Sequence, residues 1–296
     1  MIKLFWNTHN QAKPNSNNKK VRQKQEDNYG WGQYHKKSSD KWIYEILQKV
    51  KYKLIYSEND LEKEDILIII DSSVEEKIEF YNKLNILCSK VFLFHLGDES
   101  GAHDLSPVYK NCNYIWRTFC ASKYFKNVKV KCIPIGYKSG LINKHKSNRK
   151  YKWAFTGTPH KSSRHDLLFQ LSEIKPFFCH KTQKFDQKII SIDEMSEILS
   201  STEFIPCPNG FWHPETYRVY EALECGCIPI VESTYDYYDR LFPSNPFIKT
   251  NIWAEARPTI EGWNKEQINK KSNECKTWWS NFKNELQQSI KDIIIL

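Results

Sequence analysis

The chain has 296 residues, a net charge of +9, and is 40% hydrophobic and 27% charged. The length suits two α/β lobes better than one domain of roughly 100–200 residues, and the composition excludes a wholly disordered chain. The basic residues are scattered through 13–24, 123–131, 138–152 and 265–276 and form no dense stripe in a recognised module. The charge favours a polyanionic partner or a negatively charged small substrate without choosing between them, and in the absence of such a module no nucleic-acid partner is expected.

Ile2–Trp6 opens the chain as an apolar run too short for a signal peptide or membrane anchor, and reads as a first β-strand. Residues 11–40 are polar, with Gly30 and Gly32 bracketing Trp31, and are expected to form a long loop, either over an active-site edge or as a surface insertion. Ile43, Ile46, Leu47 and Val50, then Ile78, Tyr81, Leu84 and Leu87, have helical spacing; 54–56, 66–70, 91–96 and 130–135 read as buried strands. Strand and helix alternate, which predicts a parallel, doubly wound sheet.

Between 138 and 152 the chain turns to Lys, Asn, Ser and Gly, as an interdomain linker would. A second α/β lobe follows, with strands at 152–155, 177–179, 203–206 and 227–231 and a helix from Arg164 to Ile174. Another helix is predicted behind a capping box of Ser191 and Glu194. Trp278, Trp279, Phe282, Leu286 and Ile290 mark an amphipathic final helix. The nine cysteines contain no CxxC pair, and Cys225 and Cys227 merely flank Gly226, so neither a disulfide framework nor a zinc site is expected and a reduced, cytoplasmic chain is. The 14% aromatic share fills the core or offers stacking surfaces for sugars or bases.

Residues 204–231, FIPCPNGFWHPETYRVYEALECGCIPIV, carry most of the chemistry. They read as strand, Pro/Gly loop, helix and strand, with Pro214 in the first helical turn, Gly226 at the left-handed end and a helix over about 214–225. Val219, Ala222 and Leu223 then face the sheet, while Arg218 and Glu221, three apart, share another face. Loop amides, a helix N-terminus and a guanidinium suit a nucleotide diphosphate, and a carboxylate suits ribose hydroxyls. The competing reading is an Arg–Glu pair on the surface of an ordinary crossover helix.

The run from Cys207 through Tyr217-Arg218, Glu221-Ala222-Leu223 and Gly226 to Val231 resembles the donor signature of exostosin-like glycosyltransferases, especially the ribitol xylosyltransferase branch. Trp153-Ala-Phe-Thr-Gly157 with Lys161 and Arg164 is similar to the start of that family's C-terminal lobe, and Phe94 to Glu99, Arg117 and Ile133 to Tyr137 match it more weakly. The resemblance covers about 91–235. It implies a GT-B fold of two Rossmann-like lobes with a cleft between them, an inverting mechanism and a UDP-sugar donor, with xylose as one candidate sugar. Residues 1–140 form the acceptor lobe, 150–270 the donor lobe, and 271–296 a helix crossing back to the first.

The expected donor site comprises Gly157, Lys161, Arg164, Pro208, Asn209, Gly210, Thr216, Tyr217, Arg218 and Glu221. Arg117, His9 and Trp212 are assigned to the acceptor side or its surroundings. The catalytic base is expected at Asp98 or Glu99, just past the 91–96 strand, with Asp71 as a further candidate of the same placement. No DxD motif is present, since neither Asp71-Ser-Ser nor Asp236-Tyr-Tyr-Asp239 has that spacing, so transfer without a metal or other cofactor is expected. A glycan or other hydroxyl acceptor completes the reading. Its rivals are a GT-B enzyme with another donor, such as GDP-fucose, and a non-catalytic nucleic-acid binder.

Overall fold

The protein, seen in a computed structural model, is described at residues 1–8, 31–145, 148–183, 190–233 and 236–296, without the side chains of 31–35. It divides into two compact units: Met1–Ile135 with Gln287–Leu296, and Gly136–Leu286.

In the first unit the described residues contribute β1 (Ile2–Trp6), β2 (Lys53–Ile55), β3 (Ile66–Asp71), β4 (Lys90–His95), β5 (Tyr114–Arg117) and β6 (Val130–Cys132). They form one sheet in the order β2-β1-β3-β4-β5-β6, with every pairing parallel. Leu67 to Ile70 in β3 have no exposed surface, as expected of a strand covered on both faces. β5 was not anticipated, being short and closing on the charged Arg117. The strand expected over 130–135 stops at Cys132, because Pro134 has no N–H to give to a ladder.

The long loop expected over 11–40 is corrected in part. Trp31–Ile46 is a helix, α1, while 9–30 lie outside the described residues. The helix is anchored at its C-terminal end, where Trp42, Ile43 and Ile46 are fully buried and Trp42 Nε1 donates to the Pro134 carbonyl at 3.0 Å. Its first turns lack the apolar period that announces a helix. The fully reduced set of cysteines is corrected as well: Cys120 and Cys132 are joined in a disulfide, their Cα atoms 5.5 Å apart. The pairing of Arg117 with Cys132 between β5 and β6 brings the turn after β5 back to Cys132, a proximity set by tertiary register and not by local spacing. The other seven cysteines are free.

The second unit holds β7 (Tyr151–Gly157), β8 (Phe177–Lys181), β9 (Thr202–Cys207), β10 (Ile228–Glu232) and β11 (Ile248–Thr250) in the parallel order β11-β10-β9-β7-β8. Counted from its own first strand this repeats the 2-1-3-4-5 winding of the first unit. In each sheet the first and third strands are neighbours, and there the winding reverses. One face packs Trp153, Phe155, Phe204, Ile228 and Ile230 against α4 (Arg164–Leu171 in chain order, after α2 at Ile78–Leu87 and α3 at Ser106–Tyr109) and α8 (Trp253–Gly262).

Between them in sequence lie α5 (Ile192–Ser200), α6 (Tyr217–Glu224) and α7 (Tyr237–Leu241). α5 begins with the predicted capping box, Glu194 N donating to Ser191 Oγ at 3.1 Å and Ser191 N to Glu194 Oε2 at 2.8 Å. α6 is shorter than the predicted 214–225. Thr216 is still extended, at φ −138° and ψ 152°, because Glu215 is drawn inward to the hydroxyls of Tyr220 and Tyr237 and so pulls the chain off the helix path. Gly226 ends it at φ +69°, as predicted, where a Cβ would stand 2.2 Å from Lys276 Cε. The last helix, α9 (Lys265–Ile295), packs Trp279 on Tyr220 with ring centroids 5.8 Å apart, and its final turns from Gln287 belong to the first unit. Among the described residues no helix is long and apolar enough to cross a membrane.

Candidate functional site

In the second unit the winding reverses between β7 and β9, and their carboxyl ends are where a doubly wound sheet leaves a crevice for a ligand. Arg218 stands there. Its Nη2 donates to the Thr156 carbonyl at 2.7 Å, and its guanidinium carbon lies 4.9 Å from the centre of the Phe155 ring. Gly157 makes this possible: its φ is +135°, and a Cβ would sit 2.5 Å from Arg218 Nη2. Only glycine gives both the backbone turn and the room.

The arrangement leaves polar groups unsatisfied. Arg218 Nε, Asn209 Oδ1 and Thr216 Oγ1 are all buried without a hydrogen-bond partner, and among the described residues no carboxylate oxygen comes within 4.0 Å of the guanidinium. Burial pulls the Arg218 pKa down, while Cys207, Glu221 and Tyr238 push it back up. Thr216 has the N-cap place of α6 but makes no capping bond, which leaves the first turn's N–H groups without that acceptor. Buried polar groups are rarely left in this state; a cation with an open Nε–H, the Thr216 hydroxyl and a helix start suit a bound anion, whereas Asn209 Oδ1 is an acceptor and calls for a donor.

Glu221 is 9% exposed. Burial raises its carboxyl pKa, against the opposing pull of Lys138 and Arg218. Glu221 is buried and Arg218 partly buried, and no ion pair within 4.0 Å joins them, which is not the pattern of a surface Arg–Glu pair.

The loop between β9 and α6 is rigidly braced from beneath. Glu215 receives the Tyr220 and Tyr237 hydroxyls, Tyr238 donates to the Pro214 carbonyl at 3.2 Å, and Glu215 N donates to His213 Nδ1 at 3.2 Å. Sequence reasoning missed Glu215; its only signal is an acidic residue followed by tyrosines at 220, 237 and 238. Pro208 and Gly210 belong to this loop, Asn209 N donates to Glu232 Oε2 at 2.6 Å, and Tyr217 opens α6. Trp212 is 68% exposed beside Phe211, and Lys161 Nζ lies 5.6 Å from the Phe211 ring centre. Arg164 turns inward, its Nη1 donating to the Thr158 carbonyl at 3.1 Å, so it braces the turn after β7.

In the first unit Asp71 is buried and saturated. It accepts from Asn7 Nδ2 at 2.9 Å, Ser73 N at 3.1 Å, Lys77 Nζ at 2.6 Å and the Tyr81 hydroxyl at 3.1 Å. Asp98 is enclosed too, its side chain without exposed surface and in contact with Arg117 and His103. Arg117 is fully buried and spends its donors on Tyr109, Thr118, Phe119 and Asp98. Glu99 is half-buried, and His9 lies outside the described residues. His95 is a core group whose Nδ1 lies 2.8 Å from the Tyr109 hydroxyl.

Fold and site together define a doubly wound α/β protein with a partly buried arginine at the winding reversal of its second sheet. Residues 137–295, more than half of the chain, match the RXYLT1 C-terminal domain, and the chain belongs to that ribitol xylosyltransferase-like family. Asp98, Glu99 and Arg117 lie outside the matched residues. No curated protein matches the chain. Solved structures that resemble it include that of Anabaena Alr3699/HepE in complex with UDP and glucose, at 11% identity over 77% of this chain and 71% of that chain, with a TM-score of 0.39.

Proposed function

We propose that the chain is a glycosyltransferase of the inverting, GT-B, exostosin-like kind, transferring a sugar, with xylose the leading candidate, from a UDP-sugar to a hydroxyl of a glycan. The observation that carries the reading is Arg218, a cation at the winding reversal of the second sheet with no carboxylate against it among the described residues and with unpartnered polar atoms around it. Membership of the ribitol xylosyltransferase-like family supports it.

In this reading Arg218 and the start of α6 hold the diphosphate, Lys161 adds charge and Glu221 receives the ribose hydroxyls. As the bond to the sugar breaks, negative charge grows on the leaving diphosphate, and a fixed guanidinium stabilises it without a metal. The acceptor proton goes to a base in the turn after β4, where Asp98 and Glu99 stand.

Thermal-shift measurements with UDP, GDP and CMP test the donor. UDP alone should stabilise the protein, by about 2.7 kcal/mol at a hundredfold excess over its Kd. A shift with GDP and none with UDP would replace the donor by a GDP-sugar such as GDP-fucose. UDP release from UDP-sugars should persist in EDTA, and activity that EDTA abolishes and Mn²⁺ restores would refute the metal-free mechanism.

A further inference from the structure

The sequence favours a helix that starts at Pro214, and the protein does not make it. Proline suits the first helical position, and the acidic Glu215 after it is favourable near the positive end of the helix dipole. A helix begun there would bond the Arg218 N–H to the Pro214 carbonyl and carry Thr216 into its first turn. Instead Thr216 is extended, and the Val219 N–H reaches the Thr216 carbonyl at 3.4 Å. Glu215 and the tyrosines hold the chain off the helical path. Glu215, 2% exposed, turns inward, its Oε1 receiving the Tyr220 hydroxyl and its Oε2 the Tyr237 hydroxyl at 2.8 Å. The Tyr237 ring also meets His213 of the loop edge-on, with centroids 4.6 Å apart. Tyr238 takes the Pro214 carbonyl at 3.2 Å, the very acceptor that an added turn would need. Burial, reinforced by Glu215, raises Tyr220 and Tyr238 well above the usual phenol pKa, so both hydroxyls stay protonated donors. One residue past Glu215, the buried Thr216 Oγ1 is left without a partner, as is Nε of Arg218.

We propose that Glu215 is a positioning residue of the donor site. Through Tyr220, Tyr237 and Tyr238 it keeps the end of the β9–α6 loop extended, so that the Thr216 hydroxyl and the N–H groups at the start of α6 are left for a phosphate and do not close an added helical turn. Glu215 acts through these groups and not by touching the ligand. This rests on the reading of the second unit as a UDP-sugar site and deepens it, and every residue involved belongs to that unit.

The test uses the full chain with UDP as the probe. Glu215→Gln keeps the size of the side chain but sets an amide group where one tyrosine met an oxygen, while Tyr237→Phe and Tyr238→Phe each remove one hydroxyl and leave the ring. Calorimetry at a temperature where each variant is folded should find UDP binding weakened about tenfold, as when the extended loop is populated in about one molecule in ten. Amide exchange gives a readout that a general loss of stability would move the other way. Without UDP, the Arg218 N–H of Glu215→Gln and Tyr238→Phe should be better protected than in wild type, because it gains the Pro214 carbonyl. Should Glu215→Gln fail to fold, the two phenylalanine variants carry the test. Wild-type UDP affinity in the folded variants would overturn the positioning role, and the donor-site reading would stand if Arg218→Ala still weakened binding in the same assay. Weakened binding with no gain of protection at Arg218 would make Glu215 a stabiliser of the fold only, and would overturn the proposal as well. A wild-type chain that does not bind UDP would bring down the functional reading, and this inference with it.

Discussion

The two sheets share one winding but treat its reversal point in opposite ways. Between β1 and β3 the position is sealed: Asp71 is matched by Lys77, Tyr81, Asn7 and Ser73, and both charged side chains are buried, at 0% and 2% exposure. Between β7 and β9 it is open: Arg218 has a backbone carbonyl and an aromatic face, while its Nε, Asn209 Oδ1 and Thr216 Oγ1 are unpartnered. A shared topology therefore supplies two equivalent positions, and only side chains decide whether the protein itself matches the charge placed there.

The sharpest way to break this comparison is to delete one charge on each side and measure unfolding. Asp71→Ala leaves Lys77 buried without its partner, and such a loss costs about 3–5 kcal/mol. Arg218→Met keeps much of the side-chain volume and removes a cation that no carboxylate balances, so stability should stay within about 1 kcal/mol of wild type or rise. Equal losses in denaturant titrations of the two variants would mean that Arg218 is as structural as Asp71.

Ligand binding should show the reverse pattern. Arg218→Ala should weaken UDP binding by about 1.5–3 kcal/mol, the range for hydrogen bonds to charged groups. Calorimetry that finds unchanged UDP affinity in a folded Arg218→Ala protein would remove the anion from this site.

Much of the second unit was legible because its signals are local. Ser191 and Glu194 announced the α5 cap, the spacing of Val219, Ala222 and Leu223 fixed the buried face of α6, and Arg218 with Glu221 could be placed on one side of it. That these two do not pair was not legible, since it depends on Gly157 admitting the guanidinium to the end of β7. The same holds for Glu215, whose tyrosine partners include one 22 residues away. Of α1 only the last turns were legible, from the helical spacing of Ile43 and Ile46; its first turns, within the stretch expected to be a loop, carry no apolar period. Distance in sequence, more than chemistry, separates what could be read from what could not.

The smallest expected effect concerns Glu221, and it asks whether burying this carboxyl costs stability. Burial raises the Glu221 pKa from an ordinary 4.5, so ionising it in the folded protein is harder than in the unfolded chain. A carboxyl with a raised folded value gives stability that is complete below the unfolded value and is lost as pH rises through the folded one. An ionised Glu221 is therefore unfavourable in the fold, a cost that Lys138 and Arg218 oppose. Glu221→Gln removes that charge at nearly constant shape. The variant should gain stability over wild type as pH rises, and the two should converge as pH falls towards 4.5. Reading the difference between the two proteins cancels the other carboxylates that titrate in the same window. If the ribose hydroxyls are what Glu221 receives, the same variant should bind UDP and 2′-deoxy-UDP alike, whereas wild type prefers UDP. A variant that is no more stable at neutral pH, or that keeps the wild-type preference for UDP, would show that Glu221 is already satisfied within the protein, and that the open character of the site rests on Arg218 alone.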